Sequence, residues 1–257
     1  MNAIDELVGA EHARAAAATG DTGAAVRRPH GARTADLVER EGLASRRVGL
    51  DVGRRFREAG YARLDSVWGV ELAAALAVDA LDAADEARPP ESGPRTPVTT
   101  ERANLSRVPV ATTPLLDALH QALAPMARTL TGRLVVPSFA VYGYFAGDDE
   151  CILHYDTDAS DITLLVMALG QVAPLHIHPE LRGRSVDELG RLECDPSWDR
   201  QSGVPIEYSR SGLTAICGRV LPHHRPKGTL DGLSAVAALH YQAVFRPASD
   251  AADEVAR

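Results

Sequence analysis

A chain of 257 residues, 45% hydrophobic but only 5% aromatic, has the apolar mass for a full core and fits one domain. Its net charge of −8 excludes the basic stripe of a nucleic-acid binder, and an overall negative field means that any anionic ligand needs a local cation. Three widely separated cysteines, Cys151, Cys194 and Cys217, form no C-x-x-C pair, which excludes a zinc knuckle and a disulfide framework and suits a reducing cytoplasm.

Met1 to Glu6 lack the basic start and apolar run of a secretory signal, and no later run is long enough to cross a bilayer, so no membrane association is expected. The wealth of Ala, Arg, Gly and Asp suits a bacterial source. Residues 1–33, rich in Ala, Gly and Thr, read as a loose or partly helical arm. Apolar residues recur at helical spacing from Thr34 to Glu58, and Gly60 ends that run. A second helix is expected from Val70 to Ala87, where Pro89 and Pro90 stop it, and the proline-rich stretch 88–100 reads as a surface loop. Thr112, Thr113 and Pro114 start a third helix that runs to about Leu130, with Leu115, Leu116, Leu119, Leu123 and Met126 on its buried face.

After Gly132 the pattern changes to strands, at roughly 134–145, 151–156, 161–169, 174–178, 213–220 and 234–245. Helices first and short strands afterwards predict an α+β chain: an antiparallel jelly-roll barrel over 134–246, backed by supporting helices over 34–130, within one domain from 34 to 257. A charged, irregular insertion over 180–211 interrupts the strands. Such a loop is a candidate lid over the barrel mouth, which would make Trp198 a substrate contact; anchoring the loop to the body is the alternative role for this residue.

Two stretches carry the chemistry. In Cys151-Ile152-Leu153-His154-Tyr155-Asp156, strand alternation puts His154 and Asp156 on one side. In Leu221-Pro222-His223-His224-Arg225-Pro226, the same rule puts Arg225 on the face of His223. Two imidazoles and one carboxylate hold one face of Fe(II) and leave three positions for a chelating cosubstrate and dioxygen. A guanidinium beside them suits the far carboxylate of a dicarboxylate. His223 is preferred as third ligand because choosing His224 would put Pro226, which has no donor, in the place of Arg225. Arg219, four residues before His223, is a second candidate for the carboxylate. Tyr142 and Tyr144 share a strand face, so one of them is a candidate to enter the cavity, Tyr144 toward a cosubstrate and Tyr142 toward substrate.

These motifs resemble those of the Fe(II)/2-oxoglutarate-dependent oxygenases, in the group around the phytanoyl-CoA and prolyl hydroxylases. The resemblance covers roughly residues 50 to 246. Phe56-Arg57-Glu58-Ala59-Gly60-Tyr61 looks like the opening of these enzymes, where a helix ends in Gly-Tyr and enters the first strand. Tyr142-Gly143-Tyr144-Phe145-Ala146-Gly147-Asp148 looks like the strand and turn before their His-x-Asp, and Leu239-His240-Tyr241 resembles the final strand of one bacterial branch. The resemblance implies a double-stranded β-helix, Fe(II), 2-oxoglutarate and O₂ as cofactor and cosubstrates, and hydroxylation of an unactivated C–H bond of a small molecule such as an amino acid or natural-product intermediate. Related halogenases have a small residue in place of the carboxylate, so Asp156 argues against halogenation; hydroxylation is the default, and desaturation or ring formation would need only a different substrate pose. One departure stands out: many members carry the cosubstrate arginine on the last strand, where this chain reads Gly232-Leu233-Ser234.

Two other classes fit the residues. The first is a non-catalytic barrel that binds a ligand or partner with a vestigial site. The second is a cupin-like metalloenzyme built on His176 and His178, an H-x-H pair sharing one strand face; in the oxygenase reading His176 is a candidate substrate contact instead.

Overall fold

The computed structural model of the protein describes residues 31–86, 109–110, 112–147, 150–228 and 230–245. The expected loop over 88–100 and residues 1–30 of the expected arm lie outside the described residues.

The helical run expected from Thr34 to Glu58 is two helices, α1 (Gly31–Arg40) and α2 (Leu50–Ala59). Gly42 breaks them apart. Its φ of 62° is open to glycine at no steric cost, and a short 3₁₀ turn, Leu43–Ser45, follows. Helical periodicity hides the break because Val38, Leu43, Val48 and Phe56 all enter the same core. Gly60 closes α2 and leads into β1 (Tyr61–Leu64). Two longer helices follow, α3 (Val70–Glu86) and α4 (Pro114–Thr131). The start of α4 is the expected one: Thr113 caps it by accepting the Leu116 N–H at 3.1 Å, and Pro114 occupies the first turn, where no N–H is needed.

Two antiparallel sheets make up the rest. The larger has the order β1–β8–β5–β10–β3–β2, with β2 at Pro109–Val110, β3 at Val135–Gly147, β5 at Ile162–Leu169, β8 at Leu213–Ile216 and β10 at Leu230–Ala243. The smaller has the order β4–β9–β6–β7, with β4 at Cys151–His154, β6 at Leu175–Ile177, β7 at Val204–Ile206 and β9 at His223–Arg225. Strand alternation then sorts the larger sheet's two faces. Leu164, Val166, Leu239 and Tyr241 pack on one side with Leu72, Leu76, Leu116 and Leu119 of the helices. Leu165, Met167, Val236 and Ala238 pack on the other with Leu175, Ile177 and Ile206 of the smaller sheet. Burying both faces explains why β5 reads Ile-Thr-Leu-Leu-Val-Met-Ala-Leu, nearly without interruption.

The insertion at 180–211 is more regular than expected. It holds α5 (Val186–Glu193), started by a reciprocal capping box between Ser185 and Glu188, and the edge strand β7. Among the described residues no helix is long and apolar enough to cross a membrane.

Candidate metal centre

β4 and β9 run side by side, with His154 opposite His223 and Cys151 opposite Arg225. Asp156 lies two residues past the end of β4, and its N–H donates to the Gly218 carbonyl at 2.9 Å, which pins the chain against the turn after β8. The His154 and His223 Nε2 atoms stand 4.0 and 3.6 Å from Asp156 Oδ1. Two atoms bound to one ion at about 2.1 Å each stand at most about 4.2 Å apart, and both separations fall inside that limit.

Backbone and side chains fix which atoms face inward. Each imidazole donates its Nδ1–H to the carbonyl two residues before it, His154 to Ile152 at 2.7 Å and His223 to Leu221 at 2.9 Å. That fixes the tautomer and leaves both Nε2 lone pairs turned toward the carboxylate. Thr163 donates to Asp156 Oδ2 at 2.5 Å, so Oδ1 is the oxygen left for an ion. His240 Nδ1 lies 3.1 Å from the Thr163 hydroxyl and 2.8 Å from that of Ser160. Behind the carboxylate Gly218 has no side chain, and a Cβ there would collide with Asp156. The donor set, its tautomers and its backing fit a divalent transition metal.

In the absence of an ion the same groups favour positive charge at the site, where a cation would take the place of a proton. Burial by itself disfavours charge on Asp156, yet the facing imidazoles of His223, His240 and His154 and the Thr163 hydroxyl hold its carboxyl below the ordinary range. Burial also opposes charge on His154, but Cys151, Asp156 and the Ile152 carbonyl outweigh it and push this imidazole up to about 9.

The cavity around the triad lies between the two sheets. Phe145, Leu165, Leu175, Ile216, Val236 and Ala238 form its apolar walls, and Cys151, Thr163, Tyr208, Arg225 and His240 its polar lining. Arg225 is almost wholly buried, with its guanidinium 3.6 Å from the centre of the Phe145 ring.

Thus His154, Asp156, His223 and Arg225 are brought together, and the other sequence candidates are not. His224 points away from the cavity, bonded through Nδ1 to His178 at 2.9 Å and through Nε2 to the Arg200 carbonyl at 2.8 Å. His176 lies opposite His224 in the sheet and donates to the Ser202 carbonyl, so the H-x-H pair of the cupin-like reading is on the outer face. Trp198 packs there too, its ring 5.1 Å from that of His224 and 5.8 Å from that of His178. Within the insertion, α5 and Trp198 lie on the outside of the smaller sheet, where Glu193 accepts the Leu153 N–H of β4 at 3.1 Å, while Tyr208 near its end lines the cavity. Tyr142 and Tyr144 turn to the helices, where they donate to Asp79 Oδ2 at 2.8 Å and the Ala80 carbonyl at 2.7 Å. Arg219 pairs with Asp161 at 3.3 Å and Asp158 at 3.5 Å, and lines a different cavity with Arg57 and Arg133.

Thr163, His240 and Gly218 were missed. Thr163 carried a signal, being the one polar residue of β5; His240, in a strand that also holds Ser234 and Gln242, and Gly218, in a turn, carried little.

No protein-family model and no curated protein sequence matches the chain. Solved structures do. A prolyl hydroxylase from Trichoplax adhaerens, in complex with a hypoxia-inducible-factor peptide fragment, superimposes with a TM-score of 0.55 at 12% identity over 81% of this chain and 92% of its own. The non-heme alpha-ketoglutarate-dependent epimerase SnoN from nogalamycin biosynthesis gives 0.57 at 15% identity over 77% and 85%. HygX from Streptomyces hygroscopicus, with nickel and 2-oxoglutarate bound, gives 0.54 at 13% identity over 77% and 88%. The chain has the fold of the Fe(II)/2-oxoglutarate-dependent oxygenases. Within that oxygenase fold the helices back one sheet, and the His-Asp-His group lies between the two.

Proposed function

We propose that the protein is a non-haem Fe(II)- and 2-oxoglutarate-dependent dioxygenase that hydroxylates an unactivated C–H bond of a small molecule. One observation carries the reading: a His-Asp-His group and a buried arginine face the same cavity from adjacent strands of an oxygenase fold. His154, Asp156 and His223 hold the iron. Arg225 receives the far carboxylate of 2-oxoglutarate, with the two parallel hydrogen bonds a guanidinium offers. Bound together, iron and 2-oxoglutarate supply the oxidising power: dioxygen puts one atom into succinate, with loss of CO₂, and the other into the substrate's C–H bond.

The protein supplies position and dryness. Thr163 keeps Asp156 turned so that one oxygen is free, and the Nδ1 bonds keep both imidazoles in the binding tautomer. Asp156 is a carboxylate where related halogenases have a small residue, which speaks against halogenation and leaves hydroxylation as the default. The apolar walls exclude water from the reacting centre.

Anaerobic titration of the purified protein with Fe(II) and then 2-oxoglutarate tests this. A visible charge-transfer band that needs both, and is lost in His154→Ala, is the expected result. Iron binding without the band would overturn the 2-oxoglutarate assignment, and no iron binding would favour a non-catalytic binding protein. Arg225→Ala should raise the 2-oxoglutarate concentration needed at least tenfold and Arg219→Ala should not; the reverse result would exchange their roles.

A further inference from the structure

The cavity at the triad measures only about 50 Å³, against about 300–1,000 Å³ for an ordinary small-molecule site. On the oxygenase reading a cosubstrate shares it as well. A substrate must therefore rest largely on the surface beside the cavity, and the exposed residues there determine what it can be.

One such surface is continuous with the site. Thr163, His240 and Phe139 occupy one row across β5, β10 and β3. Thr163 touches Asp156, His240 touches Thr163, and the Phe139 ring stacks on His240 with centroids 4.0 Å apart and planes 17° from parallel. Phe139 thus lies two strand spacings, about 10 Å, from Thr163. Past this row, Val135 pairs with Ala243 and both turn into the helix-backed core. Val136, next to Val135 in β3, then turns to the cavity side, and Leu134 and Val244 flank the two strand ends, joined by the Val244 N–H to the Leu134 carbonyl at 3.0 Å. Leu134, Val136, Phe139, Val244 and Phe245 are 53%, 40%, 36%, 44% and 79% exposed. They are five of the nine large hydrophobic side chains exposed among the described residues, gathered at two adjacent strand ends.

We infer that the substrate is a predominantly apolar, uncharged molecule that docks on this strip, with Phe139 as its contact nearest the triad; the inference rests on the oxygenase reading. The five side chains offer no charge, so an amino acid lying on them would lose hydration without gaining an ionic partner. A second copy of the chain is a poorer occupant. A stable dimer buries about 800 Å² on each partner, and five side chains, three of them more than half covered, fall well short.

The test uses the full chain loaded with Mn(II) and the neutral apolar probe N-phenyl-1-naphthylamine. The probe should bind at one per chain with enhanced emission, and Mn(II) should broaden its proton NMR lines. His154→Ala should abolish the broadening but not the binding. Phe139→Ser, and separately Val136→Ser with Val244→Ser, should weaken probe binding at least tenfold while Mn(II) affinity stays within twofold; the second variant touches no part of the His240 stack. Unbroadened lines with Mn(II) bound, or undiminished binding in both variants, would overturn the docking surface and leave the oxygenase reading standing. Failure of the wild-type protein to bind Mn(II) would remove the metal reading and this inference with it. A dimer that the serine variants convert to monomer would assign the strip to a contact between copies instead.

Discussion

Replacing Gly218 with alanine adds one methyl group behind the candidate metal centre. The backbone at 218 is outside the left-handed region, so its conformation accepts alanine and any effect must come from the methyl itself. A Cβ there would stand 2.5 Å from Asp156 Cγ and closer still to Oδ2, where ordinary contact begins at 3.4 Å. The carboxylate oxygen must therefore retreat by about 1.5 Å to reach ordinary contact. The backbone cannot easily give way, because the Asp156 N–H is bonded to the Gly218 carbonyl. Retreat either breaks the bond from Thr163 or withdraws Oδ1 from the two imidazoles. Losing a buried bond to a charged group costs about 1.5–3 kcal/mol, and overpacking costs a comparable 1–3 kcal/mol, roughly. Gly218→Ala should accordingly be about 2.5–6 kcal/mol less stable in urea without metal, and should bind Co(II) at least tenfold more weakly by calorimetry, since support lost behind a ligand typically costs about 10–100-fold. Gly190→Ala is the control. It lies in α5 with nothing within 4 Å of the added methyl and should gain up to about 1 kcal/mol. If Gly218→Ala unfolds within about 0.5 kcal/mol of wild type, the ordinary scatter of surface changes, and binds Co(II) equally well, the account of Asp156 as a wedged, oriented carboxylate is wrong.

Thr163→Val keeps the shape but removes the hydroxyl shared by Asp156 and His240; it should weaken Co(II) binding by about tenfold while Thr163→Ser does not, and equal affinities in both variants would deny Thr163 an orienting role. Asp79 accepts from Thr113 and Tyr142, and burial chiefly raises its pKa. Asp79→Ala should cost about 2–4 kcal/mol in urea unfolding by stranding buried hydroxyls, whereas Asp79→Asn should stay within about 1 kcal/mol because an amide oxygen still accepts; equal losses would show that shape alone matters. Burial chiefly lowers the pKa of His120, and the His240 carbonyl only partly offsets it. The unfolded chain then takes up its proton first, so this contribution is present above the ordinary imidazole value of 6.5 and fades as pH falls below it. His120→Gln should flatten the stability profile below pH 6.5, and an unchanged slope would mean that His120 is not the group titrating.

Relations within one strand were legible because side chains alternate at a period of two. That rule put His154 with Asp156 and His223 with Arg225, and together with the missing donor on Pro226 it preferred His223 to His224; these four line one cavity, with Thr163 and His240 that the rule did not find. Capping chemistry located the start of α4 at Thr113 and Pro114, and a terminal glycine located the end of α2 at Gly60. The same rule misled wherever the face had to be known absolutely. Tyr142 and Tyr144 do share a face, but it is the one covered by helices; Trp198 and His176 lie in and beside the insertion, on the outside of the smaller sheet.

Alternation states which residues lie together and is silent on which side the core lies, since that depends on what packs against the sheet from elsewhere in the chain. Contacts across strands were equally hidden: Thr163 on Asp156, His240 on Thr163 and Phe139 on His240 join residues far apart in sequence through a register that only pairing establishes. Gly218 is the extreme case. A glycine in a turn is unremarkable in the sequence, and what makes it necessary is an aspartate 62 positions earlier, folded back to within a methyl group of its Cα. Local chemistry thus picked out the candidate ligands, and tertiary packing decided which face holds them, because only packing converts a periodic pattern into an inside and an outside.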